Sequence, residues 1–313
     1  MKMNFKGRNL LTLQDYTEAE IRHILKTAHE FKKKRTNGII YEDILKGKKL
    51  CMIFQKPSTR TIISFDAAMY ELGGHSIVLN SSDMQLGRGE SIRDTGKTIA
   101  RYCDAIMARV YNHDDLVELA MGAGNIPIIN GLSDLFHPCQ ILADLMTIEE
   151  HKKTLENIKI AYIGDGNNVA HSLLIACSKL GINISVACPD KYKPKEIILM
   201  IAQNQANNHN AVIEVLQSPQ EAVKGADVIY TDTWVSMGQD FEKLERESIF
   251  RPYQINENLL RSTKNDCIVM HCLPAHRGFE ITDDVIDGPH SVIFDQAENR
   301  LHVQKAVLFL LLG

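Results

Sequence analysis

From Leu50 onward, short apolar runs alternate along the chain with segments whose apolar residues recur at helical spacing. Short apolar runs are typical of strands that are buried on both faces, and helical connections place such strands in parallel. The alternation therefore predicts an α/β fold with mostly parallel sheets that carry helices on both faces. We predict strands at 49–54, 75–79, 104–109, 126–130, 158–163, 182–187, 212–215, 227–231, 267–270 and 292–294, and helices that include 91–102, 115–122, 138–150 and 168–180.

The length of 313 residues favours two domains, because a single hydrophobic core seldom grows that large. A polar stretch at 151–156 separates a helical segment from the next strand. We therefore predict one α/β domain at 1–150 and another at 151–313, with the last helix, about 297–313, packing back on the first domain. Ligands of open parallel sheets bind at the carboxyl ends of the strands, so we expect the active site in the cleft between the domains.

The composition limits the classes of function. The net charge of −4 argues against nucleic acid as a partner, since nucleic-acid-binding proteins usually carry a basic surplus. We find no apolar stretch long enough to span a membrane, and residues 1–5 lack the apolar core of a signal peptide. The seven cysteines are odd in number and lie mostly in apolar runs, which is typical of free thiols in a reducing compartment. We expect a cytoplasmic protein.

The segment Ser58-Thr59-Arg60-Thr61 lies where an apolar strand gives way to a helix. Unpaired backbone amides and the helix dipole make such an N-terminus a good place for an anion. Arg109 ends another predicted strand, so a second guanidinium could reach the same place. A capped helix with a solvated arginine is the plainer interpretation of the four residues alone. Two arginines at a helix N-terminus favour a site for a dianion.

The segment His137-Pro138-Cys139-Gln140 opens another predicted helix. An imidazole N–H can donate to a carbonyl oxygen, and a primary amide can accept from an NH₂ group. A lone histidine before a helix more often has a structural role. Held together, His137 and Gln140 predict recognition of a carbamoyl group.

The segment His271-Cys272-Leu273-Pro274 ends the strand predicted at 267–270. A Cys–His nucleophile pair is one interpretation, but adjacent residues of a strand point to opposite faces, which argues against His271 as the base for Cys272. Another interpretation is a zinc site of His271, Cys272 and His276, but the sequence has no second paired-ligand motif to support it. We predict neither a metal ion nor a cofactor.

The turn Gly164-Asp165-Gly166-Asn167-Asn168 joins a predicted strand to a predicted helix, and it raises the alternative of an NAD-dependent oxidoreductase. The match to G-x-G-x-x-G is incomplete, because Val169 stands at the third glycine. The next strand also lacks an acidic residue at the position expected for a ribose. We therefore favour Asn168 at a helix N-terminus beside a polar ligand.

The segment Asp232–Gln239 follows a predicted strand and carries a carboxylate, a hydroxyl and the only tryptophan of the chain. A turn with a packed indole is the plainer interpretation. A carboxylate at the end of a strand also suits a cationic amine.

Six sequence features occur in an order that resembles the aspartate/ornithine carbamoyltransferase family over essentially the whole chain. Each feature is weak alone, whereas six in this order are specific. Cys139 departs from the threonine that is common in the second motif, but its side chain need not touch a substrate. The features are S-T-R-T at 58–61, H-P-C-Q at 137–140, G-D-G-N-N at 164–168, D-T-W-V-S-M-G at 232–238, H-C-L-P at 271–274, and Arg300.

The resemblance implies a carbamoyl phosphate site. Arg60, Arg109, His137 and Cys272 are its expected catalytic residues, and Gln85 is expected to act in a neighbouring subunit, since family members are trimers or assemblies of trimers. The whole set that the resemblance assigns to carbamoyl phosphate is Ser58, Thr59, Arg60, Thr61, Gln85, Arg109, His137, Gln140, Cys272, Leu273 and Arg300.

The resemblance also implies an amine site formed by Asn168, Asp232, Ser236 and Met237. The intact D-x-x-x-S-M-G segment favours L-ornithine as the acceptor over aspartate, with L-citrulline and phosphate as products in arginine metabolism. Carbamoyl transfer to putrescine or to an acylated ornithine, and the oxidoreductase, stay as alternatives. The expected partners are the two small-molecule substrates and further copies of the chain in a homotrimer or an assembly of trimers, with neither nucleic acid nor a membrane.

Overall fold

The computed structural model describes residues 3–235 and 240–313. The chain forms two compact units, a first unit of Met1–Met146 with Glu298–Gly313 and a second unit of Thr147–Ala297. Each unit is built around one parallel sheet flanked by helices. The predicted α/β class with two parallel sheets is confirmed.

The first unit holds a four-stranded sheet in the order β2-β1-β3-β4. Its strands are β1 (Lys49–Phe54), β2 (His75–Asn80), β3 (Ala105–Arg109) and β4 (Ile128–Leu132), and the helices that begin in it are α1 (Glu18–Thr36), α2 (Thr59–Glu71), α3 (Ile92–Ile99), α4 (His113–Ala123) and α5 (Pro138–Lys152).

The second unit holds a five-stranded sheet in the order β7-β6-β5-β8-β9. Within the described residues, no helix is both long enough and apolar enough to cross a membrane. The strands are β5 (Lys159–Ile163), β6 (Asn183–Ala187), β7 (Ile213–Leu216), β8 (Val228–Thr231) and β9 (Ile268–His271), and the remaining helices of the chain are α6 (Asn168–Leu180), α7 (Glu196–His209), α8 (Pro219–Ala222), α9 (Lys243–Phe250), α10 (Glu257–Leu260), α11 (Asp283–Ile286) and α12 (Ile293–Leu312).

The strand register brings separate segments of the chain to one edge of each sheet. In the first unit Phe54, at the end of β1, lies opposite Arg109, which in turn lies opposite Leu132. In the second unit Thr231 lies opposite His271 at the ends of β8 and β9. The segments that follow these strands therefore start side by side, which positions most of the polar motifs.

The strand predicted at 292–294 is wrong. Helix α12 begins at Ile293, and only an isolated bridge joins the preceding Ser291 to Val269 of β9. A short apolar run does not distinguish a strand from the first turn of a buried helix, and this run is such a first turn.

Candidate active site

The N-terminus of α2 holds the hydroxyl groups of the first motif. Ser58 is the N-cap of the helix, and its side chain accepts a hydrogen bond from the backbone N–H of Thr61 at 3.4 Å. The Ser58 hydroxyl also donates to Oγ1 of Thr61 at 2.9 Å. Phe65 and Met69 bury the apolar face of the helix, which fixes this end of α2 beside the carboxyl end of β1. The arrangement suits an anion at the helix N-terminus.

A buried imidazole lies among three positive charges. His137 precedes α5 and is 4% exposed. Burial lowers the pKa of His137 well below its ordinary value, and three guanidinium groups lower this pKa further, with effects that decrease in the order Arg300, Arg109, Arg60. The imidazole is therefore neutral at pH 7, and the region around it attracts anions.

Arg300 connects α12 to two other elements of this cluster. Its Nη1 donates to Oε1 of Gln140 at 2.8 Å, and its Nη2 donates to Oγ1 of Thr61 at 3.2 Å. Gln140 in turn donates through Nε2 to Asp144 at 2.8 Å, so the orientation of its amide is defined. We call the group Ser58, Thr61, Arg60, Arg109, His137, Gln140 and Arg300 the cationic cluster.

Gln85 belongs to a different segment from the residues of the cationic cluster. It is exposed, in the short 3₁₀ helix Gln85–Arg88. Within the described residues no hydrogen bond joins its side chain to the cluster. Its action in a neighbouring subunit stays a prediction.

The carboxylate of Asp232 is the centre of a polar group in the second unit. The side chain of Asp232 is buried, and its Oδ1 accepts from the backbone N–H of Thr233 at 2.8 Å and from Sγ of Cys272 at 2.9 Å. Its Oδ2 accepts from Nδ2 of Asn167 at 2.8 Å. All seven cysteines are free thiols, and the six others are buried while Cys272 is partly exposed. The structure thus brings together Asp232 and the one accessible thiol.

Asn167 is a residue that sequence reasoning missed in favour of its neighbour Asn168. Asn167 is the N-cap of α6, and its Oδ1 accepts from the backbone N–H groups of Val169 and Ala170. The Tyr162 hydroxyl donates to the same oxygen at 3.2 Å, which leaves the amide nitrogen directed at Asp232. Asn168 is the first residue of the helix and is partly buried. The preference for asparagine at the N-cap, immediately before an apolar helical run, could have indicated Asn167.

His271 and Glu280 hold the backbone next to Cys272. Nδ1 of His271 accepts from the backbone N–H of Leu273 at 2.9 Å, so the ring proton lies on Nε2, which donates to Glu280 at 3.0 Å. Leu273 has a φ of 59°, in the left-handed region that non-glycine residues seldom adopt. Both ring nitrogens are therefore used to fix this turn, and His271 is not a base for Cys272. Sequence reasoning did not select Glu280.

Arg246 is a third missed residue, and it anchors the segment that follows β8. Its Nε donates to the carbonyl of Trp234 at 2.6 Å, and its Nη2 donates to Oδ2 of the buried Asp165. Burial raises the pKa of Asp165 to about 7, and the charge of Arg246 opposes this shift. The Trp234 ring stacks on Phe250 at 6.0 Å and belongs to the core. Ser236 and Met237, which the sequence analysis assigned to amine binding, lie outside the described residues.

The glycine turn before α6 has a packing explanation. A Cβ at Gly166 would lie 2.3 Å from the backbone nitrogen of Pro194, so only glycine fits there. The backbone N–H of Gly166 donates to Tyr192 at 2.9 Å. Close packing against residues 192–194 therefore explains why position 166 is a glycine, and no bound dinucleotide is needed to explain it.

A group of potential metal ligands occurs at the same place as the Asp232 cluster. Ligand atoms of Asp232, His271 and Cys272 lie within 4.8 Å of one another. Each of these side chains is already hydrogen-bonded within the protein, His271 through both nitrogens. A metal ion would have to displace these bonds. His276, from the zinc set weighed above, instead contacts Thr233 through Nδ1 at 3.1 Å.

Two family models match the chain in sequence. The carbamoyl-P binding domain of aspartate/ornithine carbamoyltransferase matches residues 8–150, and the Asp/Orn binding domain of the same family matches residues 156–311. Together they cover nearly the whole chain, and the cationic cluster and the Asp232 group fall mainly in the first and the second match respectively.

Full-length relatives and solved structures agree with these models. The ornithine carbamoyltransferase of Pyrococcus abyssi is 56% identical over 313 residues, which are 100% of this chain and 98% of that protein. The anabolic ornithine carbamoyltransferase of Pyrococcus furiosus is also 56% identical, over 100% of this chain and 99% of that protein. The solved Pyrococcus furiosus enzyme superposes with a TM-score of 0.96 at 56% identity over 99% of both chains. The Gloeobacter violaceus enzyme gives a TM-score of 0.88 at 44% identity over 99% of this chain and 100% of that chain. The chain therefore belongs to the aspartate/ornithine carbamoyltransferase family.

Proposed function

We propose that the chain transfers the carbamoyl group of carbamoyl phosphate to the δ-amine of L-ornithine, giving L-citrulline and phosphate. The observation that carries the donor half of this proposal is the convergence of three guanidinium groups on the neutral, buried imidazole of His137. The full-length relatives named ornithine carbamoyltransferase support the choice of acceptor.

The cationic cluster suits the two ends of carbamoyl phosphate. We assign the phosphate to Arg60, Arg109 and the α2 N-terminus with Ser58, Thr59 and Thr61, because charge-assisted bonds to a dianion are strong. We assign the carbamoyl oxygen to donors from His137 and Arg300. Oε1 of Gln140 retains a lone pair beyond its bond to Arg300, and this lone pair can accept from the carbamoyl NH₂ group.

The second unit supplies the acceptor site in this proposal. Asp232 binds the α-ammonium of ornithine, and Asn168, Ser236 and Met237 complete that site. The δ-amine must be neutral to attack, and with a lysine-like pKa of about 10.4 its neutralisation at pH 7 costs about 4.6 kcal/mol. We assign Cys272 and the carbonyl of Leu273 to hold the neutral amine, since His271 and Glu280 fix this turn.

The reaction proceeds by direct attack without an acyl-enzyme. The δ-nitrogen forms a bond to the carbamoyl carbon, and the bond from that carbon to the phosphate oxygen breaks. The nitrogen loses a proton, which the departing phosphate takes up directly or through water. The electron pair of the broken bond leaves with phosphate. Arg60, Arg109 and His137 stabilise the charge that develops on the oxygen atoms.

We further propose that the enzyme works in arginine biosynthesis, as the name of the anabolic Pyrococcus furiosus relative suggests. A homotrimer or an assembly of trimers in the cytoplasm is the setting we expect, with Gln85 completing the site of a neighbouring copy. Sedimentation of the purified chain measures the assembly directly, and a monomer at enzyme-assay concentration would contradict that part of the proposal.

The test is an assay of carbamoyl transfer with four acceptors. Carbamoyl phosphate is offered with L-ornithine, putrescine, N-acetylornithine or aspartate, and the carbamoylated product is measured. We expect turnover with ornithine at least a hundredfold above the others. Putrescine and N-acetylornithine offer Asp232 no α-ammonium, and the only amine of aspartate is the one that would have to react. Preference for another acceptor would reassign the substrate. If the chain ignores carbamoyl phosphate and its melting temperature rises with NAD or NADP, the oxidoreductase alternative replaces the proposal.

A further inference from the structure

A lysine of the C-terminal helix is buried in the first unit. Lys305 of α12 is 1% exposed. Its Nζ donates to Oε2 of Glu71 and to the carbonyl of Ile40, both at 3.1 Å, and lies 4.9 Å from the centre of the Phe31 ring. Burying an ammonium group is costly, so its retention calls for a reason beyond stability.

Glu71 connects this lysine to two further helices. It is the last residue of α2, and it is 3% exposed. Besides Lys305, it forms an ion pair with Arg35 of α1. The carboxylate therefore fixes α12 against both α1 and α2 at one point. An apolar pair would give comparable stability there without defining so closely which residue of α12 faces which residue of α2.

The same two helices meet again at the cationic cluster. Arg300 of α12 donates to Thr61 of α2, while Lys305 of α12 donates to Glu71 of α2. The two contacts are ten residues apart on α2, about 15 Å of helix, and five residues apart on α12, about 7.5 Å. Two polar contacts at separate points determine both the rotation and the axial position of α12 on α2. The position of the Arg300 guanidinium depends on this rotation and on this axial position of α12.

We propose that the Lys305–Glu71 ion pair is a positioning device for Arg300. It holds α12 in the register that brings the Arg300 guanidinium to Thr61 and Gln140. Neither Lys305 nor Glu71 touches a substrate. The inference rests on the proposed function, since it assigns Arg300 to the carbamoyl group of carbamoyl phosphate.

A double-mutant cycle tests whether Lys305 acts through Arg300. The ligand is the phosphonate analogue of carbamoyl phosphate, in which CH₂ replaces the bridging oxygen, and calorimetry measures its dissociation constant. We expect Lys305→Met to weaken binding about tenfold and Arg300→Met to weaken it at least as much. The combined variant should bind no more weakly than Arg300→Met alone, because residues that act through one group are not additive. Additive losses would overturn the proposal.

Two further variants separate positioning from loss of the fold. Lys305→Met with Glu71→Leu removes both buried charges, so we expect the urea midpoint of unfolding to stay near that of the unchanged chain while analogue binding stays weak. Analogue binding as tight as in the unchanged chain would show that the ion pair is not needed. Lys33→Met removes an exposed lysine of α1 and should leave binding unchanged within twofold.

Kinetic constants give the second readout. Lys305→Met should raise the KM for carbamoyl phosphate about tenfold and change the KM for ornithine less than twofold; equal rises would contradict a role at Arg300. If the unchanged chain neither binds the analogue nor forms citrulline, the proposed function fails. If it does both and the cycle is additive, only the positioning role fails.

Discussion

The two polar clusters of this chain are opposite in charge and in how they are held. The cationic cluster gathers like charges, so that Arg60, Arg109 and Arg300 all disfavour protonation of His137. The cluster around Asp232 gathers donors on a single carboxylate, from Asn167, Thr233 and Cys272. An anion that binds to a cluster of like positive charges relieves the repulsion between them, so its binding is strongly favourable. A carboxylate whose donors are already in place binds a ligand by exchanging one hydrogen-bond partner for another.

In the proposed function, this difference assigns the donor of carbamoyl transfer to the cationic cluster and the acceptor to the cluster around Asp232. A dianionic leaving group needs positive charge that is present before it arrives. An amine that must become neutral needs hydrogen bonds near its nitrogen and a charge partner for its far end. The two clusters meet these needs separately, so substitutions in each should affect different kinetic constants.

The largest expected effect is on turnover, from a substitution in the cationic cluster. Arg60→Met should lower kcat about 10²- to 10³-fold, because it removes a donor to the charge that develops in the transition state. Steady-state citrulline formation measures this. Arg261→Met, at a side chain that is 75% exposed in the second unit, is the matched control and should change kcat less than twofold. A kcat for Arg60→Met within tenfold of the unchanged chain would remove Arg60 from the catalytic set.

A second substitution tests the acceptor side of the comparison. Asp232→Asn should raise the KM for ornithine about 10- to 100-fold, because hydrogen bonds to a charged group contribute about 1.5–3 kcal/mol. The KM for carbamoyl phosphate should change less than threefold. Asp266→Asn, at a side chain that is 75% exposed, serves as the control. Equal changes in both KM values would mean that the two clusters do not divide the substrates as proposed.

The thiol of Cys272 provides a smaller and more specific test. Cys272→Ala should lower kcat/KM for ornithine about tenfold and shift the rising limb of the pH–rate profile to higher pH, since the site then holds the neutral amine less well. Cys272→Ser keeps a donor for Asp232, so its kcat/KM for ornithine should lie between those of the unchanged chain and of Cys272→Ala. An unchanged rate with an unchanged pH profile would exclude Cys272 from holding the amine.

The last expected effect is on stability rather than on turnover. It concerns Asp165, a second buried carboxyl group of the second unit, which accepts a hydrogen bond from the Arg246 guanidinium. The folded chain keeps this proton up to about pH 7, because burial raises the pKa of Asp165 from 3.8 to about 7. The folded state then binds more protons than the unfolded state between pH 4 and 7, so this group's contribution to the free energy of unfolding falls as pH rises through that range, by at most about 1.4 kcal/mol per pH unit.

Urea unfolding of the unchanged chain and of Asp165→Asn at several pH values measures that contribution. The stability of the unchanged chain relative to the variant should fall from pH 4 to 7 and level off above pH 8. Parallel stability curves across the whole range would show that Asp165 is ionised throughout.

Local pattern located most residues of the cationic cluster, because they lie at strand ends and helix N-termini. Arg300 lies inside α12, and only the family resemblance selected it. Arg109 ends β3 and His137 precedes α5, where alternating strand and helix patterns put them. Nine of the predicted strands correspond to strands of the two sheets, with ends that differ by up to two residues. These features follow from local pattern and from parallel connectivity.

The residues that sequence reasoning missed act through contacts between distant parts of the chain. Arg246 reaches Asp165, 81 residues earlier, and Lys305 reaches Glu71, 234 residues earlier. Glu280 reaches His271 across a turn that has no regular period. Charged residues at helical spacing are usually solvated, so nothing in the local pattern marks them as buried. The strand predicted at 292–294 was wrong for a different reason. Its local pattern was visible, but a short apolar run fits both a strand and a helix.

The measurement that tests the division most directly is calorimetric binding of the phosphonate analogue to three forms of the chain. The unchanged chain and Asp232→Asn should bind it with dissociation constants within twofold of each other, while Arg109→Met should bind it at least tenfold more weakly. If Asp232→Asn weakens binding as much as Arg109→Met does, or if neither substitution matters, the cationic cluster is not the site of the phosphate donor.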